Sequence, residues 1–488
     1  MDIPTKDVLD NTASMNTSTI HSEINVINRK GQLIPFEIAK VRDKIKYLVS
    51  YPTAINISDN EIEELIKKVK NKLHNEITTR DIDDELSKTS VNMQKDNPNY
   101  HILGSRLMVN NMHKETSDNF LEKTIELSNR NILSKTYADW VCKNIEHIDK
   151  IIDYTRDYNI VYFGLTVMFG IYCKKINDRQ VERPQDVFMR EVIIVCKYNL
   201  AHIKETYDII SYQYATHATP TIINAGTPMQ QLSSCFLLSM ADSLEGITDI
   251  MRDACAISKR AGGIGISISD IRAYDSPIKG TNGKSSGVCP FVTIFNYIAR
   301  AVNQGGVRKG AIACYMEIWH ADVETFIRMR TEAFAVENTD LSAKDLFYGL
   351  MIPNVFMEIL KKEGDIYLMC PYECPGLTDI YGDAFEQLYW QYVEQGKYKK
   401  IIHSKTLFEK IAEAQSDTGM PYMCYKDIIN ENNMLKNNGE IIKCSNLCTE
   451  IMEPSSPYKY GTCNLCSINL SKFVEDNNST NNGNSTNN

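Results

Sequence analysis

The sequence predicts an α/β protein in which a helix-rich N-terminal part precedes a largely parallel sheet. Three observations carry this reading. After a short alternating stretch, residues 24–116 keep apolar positions at helical spacing. Residues 117–215 continue helix-rich, with aromatics at Trp140, Tyr154, Tyr162, Phe163 and Tyr172. From about Thr219, short β-like runs (CFLLSM, GIGISIS, GAIACYMEIW, DIYLMC) alternate with helical stretches and Gly-rich loops, the texture of strands joined by crossovers.

The elements follow in order. Residues 1–20 are polar and unpatterned, so a disordered tail is expected. The segment INVINRKGQLIPFEIAKVRDKIKYLVS alternates briefly, turns at Gly31, then spaces Ile38, Val41, Ile45 and Leu48 as on one helix face, so it reads as a hairpin leading into a helix. Further helices are predicted from Ser58 to about Leu73, from the Thr78/Thr79 cap to about Lys95, and from Asn99 to about Thr116. Asp81 and Asp83 put carboxylates in a first helical turn, where the helix dipole favours them. The resulting division is a compact unit over 21–116, a helical domain over 117–218 and an α/β domain over 219–475. The Asn/Ser-rich stretch 476–488 can bury nothing and reads as a low-complexity tail.

Composition narrows the function classes. A chain of 488 residues exceeds one ordinary domain, and 43% hydrophobic with 24% charged residues suits a globular protein. A net charge of −9 argues against a general nucleic-acid binder, which needs an excess of Lys and Arg. No apolar run of membrane-spanning length and no leader pattern is present, so a cytoplasmic protein is expected. In that setting the fourteen cysteines read as thiols, most of them packed as small hydrophobes.

The segment KCSNLCTEI holds Asn446, Cys448 and Glu450 at alternate positions, after Cys444. In an extended loop all three side chains would face one side, joining a thiol, an amide and a carboxylate in one pocket. A thiol serves as nucleophile, metal ligand or hydrogen-atom donor, and a carboxylate beside it as a base. Spacing alone leaves open a packed thiol with a surface Glu. Cys370/Cys374, Cys444/Cys448 and Cys463/Cys466 have spacings comparable to zinc sites, but no His intervenes and the inserts lack knuckle turns, so no metal is expected. GTNGKSSG is not a phosphate-binding P-loop, because Ile278 stands where its first Gly belongs.

KCSNLCTEI resembles the active-site loop of class I ribonucleotide reductase large subunits. SSCFLLSM, AGGIGISIS, GTNGKSSG, NQGGVRKGA, MCPYECPGL and TGMPYMCYKD resemble the same family, in its order, between about Val26 and Leu470. The resemblance implies an N-terminal ATP-cone and helical domain followed by the first half of a ten-stranded α/β barrel. It implies thiyl-radical reduction of a ribonucleoside diphosphate to the deoxyribonucleoside diphosphate. By motif position Cys448 would carry the thiyl radical, Glu450 would take the 3′-hydroxyl proton and Asn446 would hold the sugar hydroxyls. Cys235 and Cys463 would supply the electrons and close to a disulfide, reopened by an external dithiol. Cys466 departs from the family's small residue there, as a packed thiol or a rival partner for Cys463.

The resemblance extends to binding positions. Thr219 and Ser234 fall where phosphate contacts are made, and Gly262 and Gly263 where backbone approaches substrate. Asp242, Lys259 and Arg272 match a deoxynucleotide-effector site at a homodimer interface. Arg308, in the loop Asn303–Gly310, matches the segment relaying effector identity to substrate choice. Arg29, Lys40, Asp83 and Lys114, with Gly31, match the cone; Asn28 and Lys30 replace its usual Lys and Asp, so dATP inhibition is not implied.

No directly bound cofactor is expected. ATP and deoxynucleoside triphosphates would act as effectors, a metal-containing small subunit would supply the radical, and a thioredoxin- or glutaredoxin-type protein the electrons. The family's second half-barrel, with its phosphate cradle, radical-carrying tyrosines and C-terminal cysteine pair, has no counterpart in the sequence. A complementing chain is therefore expected, and inactivity without it. The alternative is a non-catalytic nucleotide-binding fragment, but such a fragment has no need of all five catalytic positions.

Overall fold

A computed structural model describes residues 24–302 and 309–474. The chain falls into two compact units. One comprises residues up to Asp118 together with 153–169 and 178–184; the other comprises 119–152, 170–177 and the residues from Gln185 onward.

The first unit begins as expected. Strands β1 (Asn25–Ile27) and β2 (Leu33–Pro35) form an antiparallel hairpin. Its turn is set by Asn28, whose Oδ1 accepts from the amides of Lys30 and Gln32, and by Gly31 at φ +76°. Helices α1 (Ile38–Ser50) and α2 (Asp59–Lys70) follow, then β3 (Ile77–Thr78), which pairs parallel to β1. Helices α3 (Thr79–Asn92) and α4 (Asn99–Glu115) complete the unit. Ser58 and Glu61 cap α2 reciprocally, and the Thr78 hydroxyl accepts from the Asp81 amide at the start of α3. The core is aliphatic, with Val26, Ile45, Leu65, Leu86, Leu103 and Leu107 buried together. Gly104 lets α4 close on α3, since a Cβ there would lie 2.4 Å from the Val91 side chain.

In the second unit, helices including Phe120–Asn129, Lys135–Ile148 and Leu200–Ser211 precede β4 (Ala215–His217). The main sheet is built from β5 (Cys235–Ser239), β6 (Gly263–Ser267), β7 (Ile312–Glu317) and β8 (Phe347–Ile352). After β9 (Asp365–Leu368) and β10 (Lys400–His403) come β11 (Tyr422–Tyr425), β12 (Gly461–Cys463) and β13 (Cys466–Ile468). The six-stranded order is β11-β8-β7-β6-β5-β12, parallel from β11 to β5 with β12 antiparallel at the edge. Every residue of β6 and β7 is buried, which is why these strands read as unbroken apolar runs. Helices Leu244–Ser258 and Cys289–Ala301 pack their apolar sides into the core shared with Ile264, Ile266, Cys314 and Met316.

One run differs from expectation. DIYLMC supplies β9, which pairs antiparallel with β10 outside the main sheet. Tyr389 satisfies that strand locally, its phenol meeting both the amide and the carbonyl of Tyr367.

The β4–β13 ladder sets Cys466 opposite His217, whose Nδ1 lies 2.6 Å from the buried Glu191 carboxylate. That hydrogen bond raises the His217 pKa against the opposing effect of burial. A raised histidine pKa stabilises the fold fully below the unfolded value of about 6.5, and the gain is lost as pH rises through the folded pKa. The melting-temperature difference between the wild type and His217→Asn is expected to be largest below pH 6.5 and to shrink at higher pH. Thermal scans across that range check it.

Candidate active site

The site forms where β5 and β12 meet the loop after β11. In the antiparallel ladder Cys463 lies directly opposite Cys235. Directly opposed residues hold their Cβ atoms about 4.5–5.5 Å apart, close to disulfide range. Both are free thiols in this structure. Burial, more than any neighbour, pushes the Cys235 thiol up to about 12, with the hydrogen bond to Cys463 adding to it. Burial likewise raises Cys463. Both shifts favour the neutral S–H form over the thiolate.

Asn446 links this pair to the carboxylate. Fully buried, its Nδ2 donates to Glu450 Oε1 at 2.7 Å and to Cys235 Sγ at 3.1 Å. Its Oδ1 accepts from the amides of Glu450 and Ile451, each at 3.1 Å. The segment is therefore not extended, as alternate spacing suggested. The asparagine side chain substitutes for backbone and closes a turn, with Thr449 in the left-handed region at φ +67°. Asn446 and Glu450 still meet, but across the turn, while Cys448 stands exposed at its tip. Burial raises the Tyr422 phenol, and the nearness of Cys448 and then Glu450 adds to the shift; sequence reading did not single Tyr422 out.

Backbone proximity shapes the rest. Gly263 donates its amide to the Ser234 carbonyl and faces Leu447 of the loop. A Cβ on Gly262 would strike Ile257 and Phe236 at 2.5 and 2.7 Å. A Cβ on Gly265 would lie 1.8 Å from the Ser445 carbonyl oxygen, so the loop rests directly on β6. The Ser234 hydroxyl, next to Cys235, is buried with no protein partner. Thr219 opens the helix Thr219–Asn224, and its hydroxyl meets the Tyr172 phenol at 2.8 Å. Cys466 is exposed on β13, a different strand from Cys463, and forms no disulfide with it.

The expected effector residues divide. Asp242 and Arg272 form a two-pronged ion pair, with Nε and Nη2 each 2.9 Å from Oδ2, and the guanidinium lies over Tyr372. Lys259 is exposed at the C-terminal cap of Leu244–Ser258. Arg308 lies outside the described residues. In the first unit, Arg29, Lys40, Asp83 and Lys114 all line one cavity of about 700 Å³. Asp83 is paired there with Arg29 and Lys114, each at 3.0 Å, and with Lys44, which sequence reading missed. Burial works against the Asp83 charge, yet Lys44 and Lys114 hold its pKa below the ordinary value. Lys40 pairs instead with Glu37. Among the described residues no cluster could hold a metal ion, and no helix is long and apolar enough to cross a membrane.

Two opposed thiols, a bridging amide and a carboxylate meet at the antiparallel edge of the sheet, a set of groups able to carry thiol redox chemistry, in a chain that also carries a cation-lined cavity. Family models sharpen this. The ribonucleotide reductase barrel domain matches residues 233–487, its all-alpha domain 158–230 and the ATP cone domain 24–115. The chain belongs to the ribonucleotide reductase large-subunit family. It is 40% identical over 460 residues to the ribonucleoside-diphosphate reductase large subunit of Plasmodium falciparum (isolate Dd2), covering 92% of this chain and 56% of that protein. Identity to the Neurospora crassa large chain is 42% over 422 residues, covering 84% and 45%. Identity to the vaccinia virus (strain Copenhagen) large subunit is 39% over 462 residues, covering 92% and 59%. The chain thus spans about half the length of the curated relatives it matches.

Proposed function

We propose that this chain provides the radical-bearing and reducing thiols of a ribonucleoside-diphosphate reductase. The observation that carries the reading is the meeting of Cys235 and Cys463 across one ladder, joined to Glu450 through Asn446, with Cys448 on the same turn. In this reading a thiyl radical on Cys448 takes the 3′-hydrogen of the ribose, and Glu450 accepts the 3′-hydroxyl proton. The 2′-hydroxyl leaves as water. Cys235 and Cys463 give up two hydrogens and become a disulfide, Glu450 returns its proton to the 3′-oxygen, and Cys448 returns its hydrogen to C3′. Every electron lost by the substrate-facing thiols is regained from an external dithiol of the thioredoxin or glutaredoxin type. Burial supports this role, because it keeps Cys235 protonated and therefore able to deliver a hydrogen.

The proposal extends to a small radical-generating subunit with a metal centre, to a homodimer and to further strands beside the sheet contributed by other polypeptide. Among the described residues β11 has a neighbour on one side only, which supports the last point. Thr219 and Ser234 are proposed as substrate phosphate contacts, Gly262 and Gly263 as the surface against the sugar. Asp242, Lys259, Arg272 and Arg308 are proposed for the effector deoxynucleotide. Arg29, Lys40, Asp83 and Lys114 are proposed for ATP in the cone, and the 21–116, 117–218 and 219–475 division for the domains. Compartment is proposed as cytoplasmic.

The test combines the purified chain with a small subunit, a ribonucleoside diphosphate, an effector and dithiothreitol, with and without polypeptide matching the rest of the relatives' length. Deoxyribonucleoside diphosphate is the expected product. Nucleotide binding without product in every combination would refute the catalytic reading.

A further inference from the structure

The turn that carries Cys448 is gripped by a group that the proposed chemistry does not use. Tyr315 sits on β7 with no exposed surface, yet its phenol reaches the loop. Its hydroxyl donates to the Asn446 carbonyl at 2.6 Å and lies 2.9 Å from Thr449 Oγ1. A phenol has one proton, and the Asn446 carbonyl can only accept. Thr449 must therefore donate to the phenol oxygen. One hydroxyl thus joins the residues on either side of Leu447 and Cys448.

We propose that Tyr315 is a positioning residue: its phenol fixes the turn Asn446–Glu450 in the pose that sets Cys448 against Glu450 and Cys235. The inference rests on the reductase reading given above. Four further observations support it. Thr449 occupies the left-handed region at φ +67°, costly for a β-branched residue, and its bond to Tyr315 offsets that cost. The ring cannot swing aside, because it fills the space left by Gly349 on β8, where a Cβ would lie 2.3 Å from Cε1. Gly265 brings the Ser445 carbonyl onto β6, so the loop is fixed just before the turn as well. Burial holds the phenol far above its ordinary pKa, so it remains a donor throughout any usable pH range.

Tyr315→Phe keeps the ring and removes only the clamp. The full chain, wild type and variant, is treated with iodoacetamide under native conditions, and alkylation is mapped by peptide mass spectrometry. Exposed Cys142 and Cys466 serve as internal references. The expected result is a roughly three- to tenfold faster reaction at Cys448 alone, the range given by losing one net hydrogen bond. An unchanged Cys448 rate, or a parallel rise at all three thiols, would overturn the proposal. Thr449→Ser, which keeps the hydroxyl, should react at Cys448 like the wild type; a rate matching Tyr315→Phe would also count against it. In any assembly that turns over, Tyr315→Phe should lower kcat roughly tenfold or more with KM unchanged. A changed KM at constant kcat would instead assign Tyr315 to substrate binding. Should the wild type fail to turn over, the reductase reading falls, while the alkylation result still decides whether Tyr315 sets the pose of the turn.

Discussion

Cys448→Ala is expected to lower deoxyribonucleotide formation by at least about four orders of magnitude, because no other group in the site can take its part. Buried Cys235 and half-buried Cys463 face each other across the β5–β12 ladder, and in the proposed reaction they serve as the electron donors. Glu450 handles protons, not hydrogen atoms. The substitution removes a side chain exposed at a turn tip, so the unfolding midpoint should move little. Nucleotide binding to the cone cavity should be unchanged, since Arg29, Asp83 and Lys114 lie in the other unit. The decisive measurement is product formation beside cone nucleotide affinity in one preparation. Residual turnover within about tenfold of wild type would remove Cys448 from the radical step and leave the other thiols to be reassigned.

Much of this architecture is legible in the sequence, for physical reasons. Ser58 with Glu61 and Thr78 with Asp81 announce helix starts, because a side-chain acceptor is needed where backbone amides have no partner. The buried strands β6 and β7 announce themselves as apolar runs. Local spacing is weaker at the site. Alternate positions in KCSNLCTEI suggested an extended loop, but Asn446 Oδ1 captures two backbone amides and bends it. Nothing local pairs Cys235 with Cys463; strand order makes them neighbours, and only the family resemblance implied it. Tyr315 hides within the β-like run GAIACYMEIW. Its signal is that a tyrosine in a wholly buried strand must find a partner for its hydroxyl. Lys44 was missed in the cone for the converse reason: on sequence it is one more surface lysine of α1, and only packing turns it toward Asp83.

The same blindness to long-range pairing conceals a buried ion pair. Glu317 closes β7 and Lys426 opens the helix Lys426–Glu431 just after β11, and both are essentially without exposed surface. Lys426 Nζ lies 2.6 Å from Glu317 Oε1, donates to the Leu377 carbonyl at 2.8 Å and sits over the Phe385 ring. The second carboxylate oxygen accepts from Trp319 Nε1 at 3.0 Å. The opposite charge each group faces directly is the other's, so removing one leaves its partner buried without its counter-ion. Lys426→Ala is therefore expected to destabilise the sheet-bearing unit by about 3–5 kcal/mol. Lys426→Met combined with Glu317→Leu removes both charges while keeping volume, and should recover most of that loss. All three tryptophans, Trp140, Trp319 and Trp390, lie in this unit, so their fluorescence during urea unfolding follows it without interference from the cone. A loss below about 1 kcal/mol for the single variant would mean that water reaches Glu317 readily. The pair ties the end of β7, the strand that carries Tyr315, to the element following β11, from which the loop to Cys448 departs. A double variant that regains stability but not turnover would therefore show that the charges fix geometry at the site, beyond holding the unit together.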